Sequence, residues 1–387
     1  MNLNKLKLLT AGESHGPGLL GILEGLPADI PISEDDIAHQ LKRRQAGYGR
    51  GGRMKIETDR ARIYCGVRYG RTLGSPVGLI LPNKDAANWT ETMAVAATAH
   101  EADPVTLPRP GHADLAGMEK YGFRDIRNVI ERSSARETAM RVALGTLCRR
   151  LLEEIGITIG SRVTQIHKAC DNTPVPPDLS LVDLNEKTDA SPVRALNASA
   201  GEAMVAVIQA AQRRGDSVGG IFEIMARGLP YGLGSHVDWG RKLHGRIAQA
   251  IMSINAFKGI EFGTGFAQAG QYGSEVHDSI GYANEKYTRE SNHAGGIEGG
   301  MSNAQPLVIR VVMKPIPTLS KPLASVDIQT KEEKPAFKER TDSCAVPAAS
   351  VIGEHMLGIV LADAVLEKFG GDSLTQLRAH MEATAKY

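Results

Sequence analysis

The sequence has almost no net charge, no paired cysteines, no long apolar run near its start and none of several common catalytic signatures. Among 387 residues, 45 Lys and Arg face 44 Asp and Glu, a net charge of +1. No global field therefore draws the chain to nucleic acid or an acidic membrane, and any anion must be held by local clusters. Cys65, Cys148, Cys170 and Cys344 form no C-x-x-C, which argues against zinc and for reduced thiols in a cytosolic protein. The opening MNLNKLKLLTAGESHG has too short an apolar run for a signal peptide, and no run approaches membrane-spanning length. Walker A, G-x-S-x-G and H-E-x-x-H are missing. The expectation is a cytoplasmic protein that binds neither nucleic acid nor membrane.

What the chain does have is glycine, 42 residues, and arginine gathered at turns. The stretch Thr106–Glu137 opens with a stiff turn, where Pro108 and Pro110 restrain φ and Gly111 frees it. It presents His112 and Asp114, then Arg124, Arg127, Arg132 and Arg136, and ends in a helix start whose Ser134-x-x-Glu137 has capping-box spacing. Helix N-termini attract anions. His15 stands in a Gly/Pro-rich loop after a short strand. Lys42–Lys55 carries six Lys or Arg and no acid. Its G-x-G-x-x-G follows a polar helix rather than a strand, so it is not a dinucleotide fingerprint. With only Tyr48 to stack on bases, it fits a lid over a small polyanion better than a nucleic-acid patch. Arginines suit phosphate and carboxylate, and histidines suit proton transfer near neutrality. The residues point to a proton-transfer enzyme acting on a phosphorylated, carboxylated small molecule. Elimination, isomerisation and phosphate hydrolysis all remain open at this level.

Strands are expected at Leu6–Thr10, Leu19–Gly25, Lys55–Tyr64, Val77–Leu81, Ile157–Ile166, Ser217–Pro230, Gly259–Phe266 and Leu307–Met313. Helices are expected from the Ser33 cap to about Gln45, from Ser134 to Ile155, at Gly201–Arg214, Lys242–Ile254 and Val351–Leu366, and from Ser373. Lys168–Ser191 reads as an exposed connection and a candidate boundary, and Ala267–Gln305 as a long loop with little periodicity. Strands and helices mix without regular βαβ alternation, which favours α+β over a parallel sheet. PGLLGILEGLP at Pro17–Pro27 is echoed by SVGGIFEIMARGLP at Ser217–Pro230, a hint of internal duplication.

Five ordered motifs carry a closer likeness: GESHG at 12–16, RQAGYGRGG at 44–52, PRPGHAD at 108–114, ERSSARE at 131–137 and KPIPT at 314–318. With them the chain resembles the chorismate synthase family along nearly its whole length. The resemblance implies a β-α-β sandwich with helices packed between antiparallel sheets, one catalytic domain over 1–387, and a homotetramer. It implies anti-1,4-elimination of phosphate and the C6 proton from 5-enolpyruvylshikimate 3-phosphate, giving chorismate at the last common step of the shikimate pathway to aromatic amino acids. Reduced FMN is implied as cofactor without net redox change, with NADPH only indirectly the reductant, through a separate flavin reductase. By resemblance His15 protonates the departing phosphate, His112 holds a proton at the flavin, and Asp342 assists deprotonation at flavin N5. Ser14, Arg44, Arg50, Arg136 and Arg340 are implied for the substrate. Arg132, Ser133, Ser134, Asn255, Ala256, Gly299, Lys314, Pro315, Ile316, Pro317, Thr318 and Arg340 are implied for FMN. One departure is Ala304 after Ser302-Asn303, where the family more often has glycine, a change that stiffens the loop near Gly299.

Overall fold

Two antiparallel sheets enclose a layer of helices, as the resemblance implies. The structure is a computed structural model and describes residues 3–50, 58–98, 102–339 and 342–384. In the first half, β1 (Lys7–Gly12), β2 (Gly18–Glu24), β4 (Arg62–Cys65) and β7 (Val77–Pro82) form a sheet in the order β1-β2-β7-β4. Beside it β3 (Ala28–Pro31), β5 (Val67–Arg68) and β6 (Arg71–Leu73) pair as β3-β6-β5. Along β2 the pattern alternates: Leu19 and Leu23 face the core, while Leu20 and Ile22 face outward. α1 (Glu34–Gln45) starts at a true capping box, with Ser33 Oγ accepting from Asp36 N at 3.1 Å and Asp36 Oδ2 from Ser33 N at 2.8 Å. α2 (Asp114–Tyr121) and α3 (Arg127–Ser133) lie in the long excursion after β7, and α4 (Thr138–Glu153) completes this half. Ser134 caps a 3₁₀ turn, Ala135–Glu137, rather than α4 itself. Glu137 does not return to that cap, because Arg141 holds it at 2.9 Å and Thr10 donates to it at 3.1 Å.

The second half repeats the pattern. β8 (Thr158–Ile166), with the short β9 (Ala169–Cys170), is followed by α5 (Leu181–Asp189), α6 (Ala198–Arg214), β10 (Gly220–Arg227) and β11 (Tyr231–Gly234). Then come α7 (Leu243–Met252), β12 (Phe257–Phe262) and the β13/β14 hairpin (Ile280–Ala283, Lys286–Arg289). β15 (Ile297–Glu298), β16 (Met301–Asn303), β17 (Leu307–Met313) and the β18/β19 hairpin (Ala324–Val326, Glu333–Pro335) follow. α8 (Val346–Phe369) and α9 (Leu374–Thr384) end the chain. The second sheet runs β12-β17-β10-β8-β9, and β11-β16-β15 pair beside it. Strand for strand, β1, β2, β7 and β4 correspond to β8, β10, β17 and β12, β3-β6-β5 to β11-β16-β15, and α1 and α4 to α7 and α8. The sequence echo falls on β2 and β10. Gly25 (φ +97°) and Gly228 (φ +83°) follow them, each so close to a backbone carbonyl, of Lys5 and Gly156, that a Cβ would collide at 2.2 Å. We infer that one unit is used twice, and a single hydrophobic cluster with residues of both halves makes it one body.

Several expectations shift. Lys168–Ser191 is not all exposed connection: Ser180 caps α5, whose Leu181 and Leu184 are buried with Met225. Ala267–Gln305 holds two small strand pairs that are too short and polar to show periodicity. Residues 55–57 of the strand expected from Lys55 lie outside the described residues, and β4 begins at Arg62. α8 is longer than expected and is buried on every side; it is the one described helix long and apolar enough to cross a membrane, and its apolar window is wholly inside the protein. It crosses α4 where Gly145 lies against His355, a contact that leaves no room for a Cβ.

At that layer sits a buried ion cluster. Glu354 of α8 accepts from Arg43 (2.7 and 3.0 Å), Arg149 (2.5 Å), Arg194 (3.2 Å) and Ser161 Oγ (2.6 Å). Burial pushes its carboxyl up, but the three guanidiniums outweigh burial and hold it well below the ordinary 4.5. A group depressed in the folded state stabilises fully above pH 4.5 and loses that contribution as pH falls toward its folded value. Glu354→Gln is expected to cost about 3–5 kcal/mol in denaturant unfolding at neutral pH, as for a broken buried pair. The deficit should narrow steadily below pH 4.5, and a pH-independent difference would contradict the assignment.

Candidate active site

Four core helices end at one cavity of about 920 Å³. Arg44 in the last turn of α1 and Asn255 and Ala256 just beyond α7 line it from two helix C-termini. Ser134, Ala135, Arg136 and Thr138 at the start of α4, and Ala345, Ala348 and Ala349 at the start of α8, line it from two N-termini. The N-terminal ends contribute the positive ends of helix dipoles, which favour anions. The walls are completed by the β1–β2 loop and by the excursions that follow β7 and β17. Those excursions share a small core of their own, in which Val105, Met118, Ile126 and Ile130 pack with Ile328 and Phe337. Backbone bonds from Ile328 to Thr106 (2.9 Å) and from Phe337 to Leu107 (3.1 Å) stitch them together.

His15 is carried on the β1–β2 loop, between a carboxylate and an indole. Its Nδ1 lies 2.9 Å from Glu131 Oε1, its backbone N–H donates to Oε2 at 2.8 Å, and Ser14 N donates to the Glu131 carbonyl at 3.0 Å. Trp89 stacks on the ring at 3.9 Å. Burial pushes the Glu131 carboxyl up, but its bonds to His15 and Arg127 outweigh this and hold it below the ordinary range. Asn83 braces the loop, its amide donating to the Gly16 (2.8 Å) and Glu13 (3.1 Å) carbonyls while its oxygen accepts from Arg136 Nε at 2.9 Å.

The buried guanidiniums of Arg44 and Arg136 flank Asp59, 3.9 and 2.5 Å away. Arg44 also donates to the Ala135 carbonyl at 2.8 Å and to Thr138 Oγ1. Burial, then the charge of Arg50, pushes Arg44 down to about 9. Arg50 pairs with Asp342 at 3.3 Å, and the Gly49 carbonyl accepts from Ser343 N at 2.8 Å. On the opposite wall His112 Nδ1 lies 2.5 Å from Asp114, whose buried carboxylate is gripped by Arg109 through Nε (2.8 Å) and a second nitrogen (3.1 Å). Burial raises Asp114, yet His112 and Arg109 leave it far below the ordinary range. Arg109 also reaches Thr318 Oγ1 at 3.0 Å, and Lys314 Nζ donates to the Gly111 carbonyl at 2.5 Å. Ala256 adopts left-handed angles (φ +68°), a strained state for a residue with a Cβ. Its carbonyl accepts from Lys314 N at 3.0 Å.

Most expected residues therefore meet. Ser14, His15, Arg44, Arg50, His112, Ser133, Ser134, Arg136, Asn255, Ala256, Lys314, Ile316, Pro317, Thr318 and Asp342 line the cavity. Arg132 does not; it donates to the Thr10 and Gly12 carbonyls from outside. Pro315 and Gly299 do not line it either, and Gly299 lies in the β15–β16 turn. Ala304 adopts left-handed angles (φ +63°), the conformation that glycine takes more cheaply. Arg340 lies outside the described residues. Sequence reasoning passed over Trp89, Glu131, Asp59, Asn83 and Arg109. Their roles depend on partners that include one 53 positions away for Asn83 and one 209 away for Arg109, and only the rarity of tryptophan, two in the chain, offered a signal.

The family described as chorismate synthase matches residues 6–366. A protein named chorismate synthase from Aquifex aeolicus (strain VF5) is 53% identical over 389 residues, covering 99% of this chain and 98% of its own. One from Bacillus velezensis (strain DSM 23117 / BGSC 10A6 / LMG 26770 / FZB42) is 51% identical over 388 residues, covering 98% and 99%. A solved structure described as "Crystal Structure of Chorismate Synthase" has a TM-score of 0.81 at 42% identity, covering 100% of this chain and 98% of its own.

No thiol is poised for catalysis at this site. Cys344, buried beside the Arg50 loop, is pushed up to about 12 by burial, and burial likewise raises Cys148. Cys65 and Cys170 are exposed. Titration with an aromatic disulfide should find two fast thiols in the native protein and four after unfolding. Rapid native labelling of Cys344 would contradict this packing.

Proposed function

This chain belongs to the chorismate synthase family, and we propose that the cavity between the four helix ends is where it holds substrate and reduced FMN together. The reaction is elimination of phosphate and the C6 proton from 5-enolpyruvylshikimate 3-phosphate to give chorismate, a carbon–oxygen lyase step in aromatic amino-acid biosynthesis. The carrying observation is that two carboxylate-held histidines and the guanidiniums of Arg44, Arg50 and Arg136 line one cavity.

A volume of about 920 Å³ lies near the upper end for a single small-molecule pocket and suits two ligands side by side. The strained Ala256 turn, Asn255, Lys314, the Ile316–Thr318 segment and the hydroxyls of Ser133 and Ser134 offer the backbone, cationic and polar groups a flavin phosphate and ring require. The chemistry that reduced flavin would supply there is electron density for the breaking C–O bond. Arg44, Arg50 and Arg136, with Ser14, bind the substrate's phosphate and two carboxylates and stabilise charge on the leaving group. His15 delivers a proton to the departing phosphate. His112, anchored by Asp114, holds a proton on the flavin wall, and Asp342 beside Arg50 is that wall's proton acceptor. Arg132 supports the site by tying down β1.

The assembly proposed is a homotetramer. Leu9 and Ile22, paired across β1 and β2, and Leu20 beside them stand exposed on the outer face of the first sheet, an apolar patch of the kind that subunits cover. NADPH serves only through a separate flavin reductase, and the setting is cytoplasmic. A nucleic-acid role for Lys42–Lys55 finds no support at Arg43 and Arg44, which are buried and paired inward.

Anaerobic mixing of protein, dithionite-reduced FMN and 5-enolpyruvylshikimate 3-phosphate should release phosphate and form the absorbing diene. No product with reduced flavin sinks the reading. His112→Ala should lower turnover by roughly 10²-fold or more with its circular dichroism unchanged; a wild-type rate removes His112 from the chemistry. Purified protein with FMN and NADPH alone should oxidise no NADPH.

A further inference from the structure

We propose that Glu131 is the positioning residue for His15, holding the ring with its proton on Nδ1 so that Nε2 is the atom that meets the leaving phosphate. This deepens the reading of His15 given above and rests on it. The Glu131 carboxylate has two oxygens, and both are engaged by His15, Oε1 with Nδ1 at 2.9 Å and Oε2 with the backbone N–H at 2.8 Å. An ionised carboxylate only accepts, so the 2.9 Å contact requires a proton on Nδ1. Its neighbours keep it ionised: His15 itself and Arg127, whose guanidinium lies 3.2 Å from Oε1.

The remaining contacts confine the ring. Trp89 covers one face at 3.9 Å. That indole is held in turn by Asp85, which accepts from Nε1 at 3.1 Å, and by the Arg127 guanidinium 5.1 Å over its ring. Glu339 faces Arg127 at 3.7 Å. Charged groups around this histidine among the described residues include Glu131 and Arg127 from α3, Asp85 from the turn after β7, and Glu339 from the excursion after β17. Glu131 is the one of these four that hydrogen-bonds the ring, at Nδ1.

The near-isosteric variant Glu131→Gln is informative because an amide has one acceptor oxygen where the carboxylate has two. Nδ1 lies 2.9 Å from Oε1 and 3.1 Å from Oε2, so its closer neighbour is the oxygen that the backbone N–H leaves. Turning the amide oxygen to the backbone presents the NH₂ to Nδ1, which then carries no proton, and the ring's proton moves to Nε2. An orienting carboxylate changed to its amide in this way inverts a histidine tautomer at a cost of order 10⁴-fold in one well-studied triad.

Two measurements test this. In ¹⁵N-histidine-labelled protein, with the signal assigned by loss in His15→Asn, neutral His15 should carry its proton on Nδ1, and in Glu131→Gln on Nε2. In turnover with reduced FMN, Glu131→Gln should lower kcat by about 10²–10⁴-fold with KM within about threefold of wild type, because the substrate arginines are untouched. Its rate–pH profile should differ from that of wild type, because the ring has lost the charge beside it, and Glu131→Asp should recover part of kcat. A purely structural role would leave tautomer and pH profile unmoved. An Nε2–H tautomer in the wild type, or unchanged kcat and pH profile in Glu131→Gln, overturns the proposal. The underlying reading of His15 fails separately: His15→Asn at wild-type turnover sinks both, whereas an Nε2–H wild type with inactive His15→Asn sinks only the role of Glu131.

Discussion

A negative charge buried in the middle of an apolar helix constrains everything around it. Glu354 lies inside α8 with no exposure, and such a charge is tolerated only when its acceptors are filled. Arg43 from α1, Arg149 from α4 and Arg194 ahead of α6 fill them, with Ser161 from β8. One carboxylate therefore sets the mutual position of three helices and the second sheet. Arg43 is followed directly by Arg44, so the turn of α1 that is anchored in the core also sets the direction of a guanidinium lining the cavity.

The matching strand orders of the two halves bear on why a site forms at this end of the molecule. In each half the sheet, the first helix and the last helix stop at equivalent places, and the two sets of ends face each other. The halves then divide the labour. The first supplies the loop of His15 and the excursion bearing Trp89, His112 and Glu131. The second supplies the Asn255–Ala256 turn and the excursion from Lys314 to Asp342. Neither half encloses the cavity alone, and the shared cluster of Val105, Ile130, Ile328 and Phe337 seals the two excursions against each other.

The long elements were legible because burial writes a period into sequence: α1, α4, α7, α8, β2, β10 and β17 all stand where alternation or helical spacing put them. α5 was hidden by the proline-rich lead-in and by having few apolar residues. The strands between Ala267 and Gln305 were hidden by their brevity, since two- to four-residue strands carry no period. Local reading marked His15 and His112 as held residues, because glycine and proline flank both. The sandwich, the cofactor and most individual roles came from the family resemblance, which spacing alone could not supply. Glu131 shows the limit well. It belongs to a quoted motif, yet nothing local reveals that its partner is 116 positions away. The resemblance also pointed to Gly299 and Arg132, which sit apart from the cavity within this chain.

The placement of the two tryptophans has an optical consequence. Trp239 is exposed, whereas Trp89 is wedged between the His15 ring and the Arg127 guanidinium at the cavity wall. The emission of one indole reports bulk water and that of the other reports the site. A stacked imidazole quenches indole fluorescence, so the intensity from Trp89 depends on where the His15 ring sits. The protein thus carries, in its own side chains, a spectroscopic readout of the group proposed to move the proton.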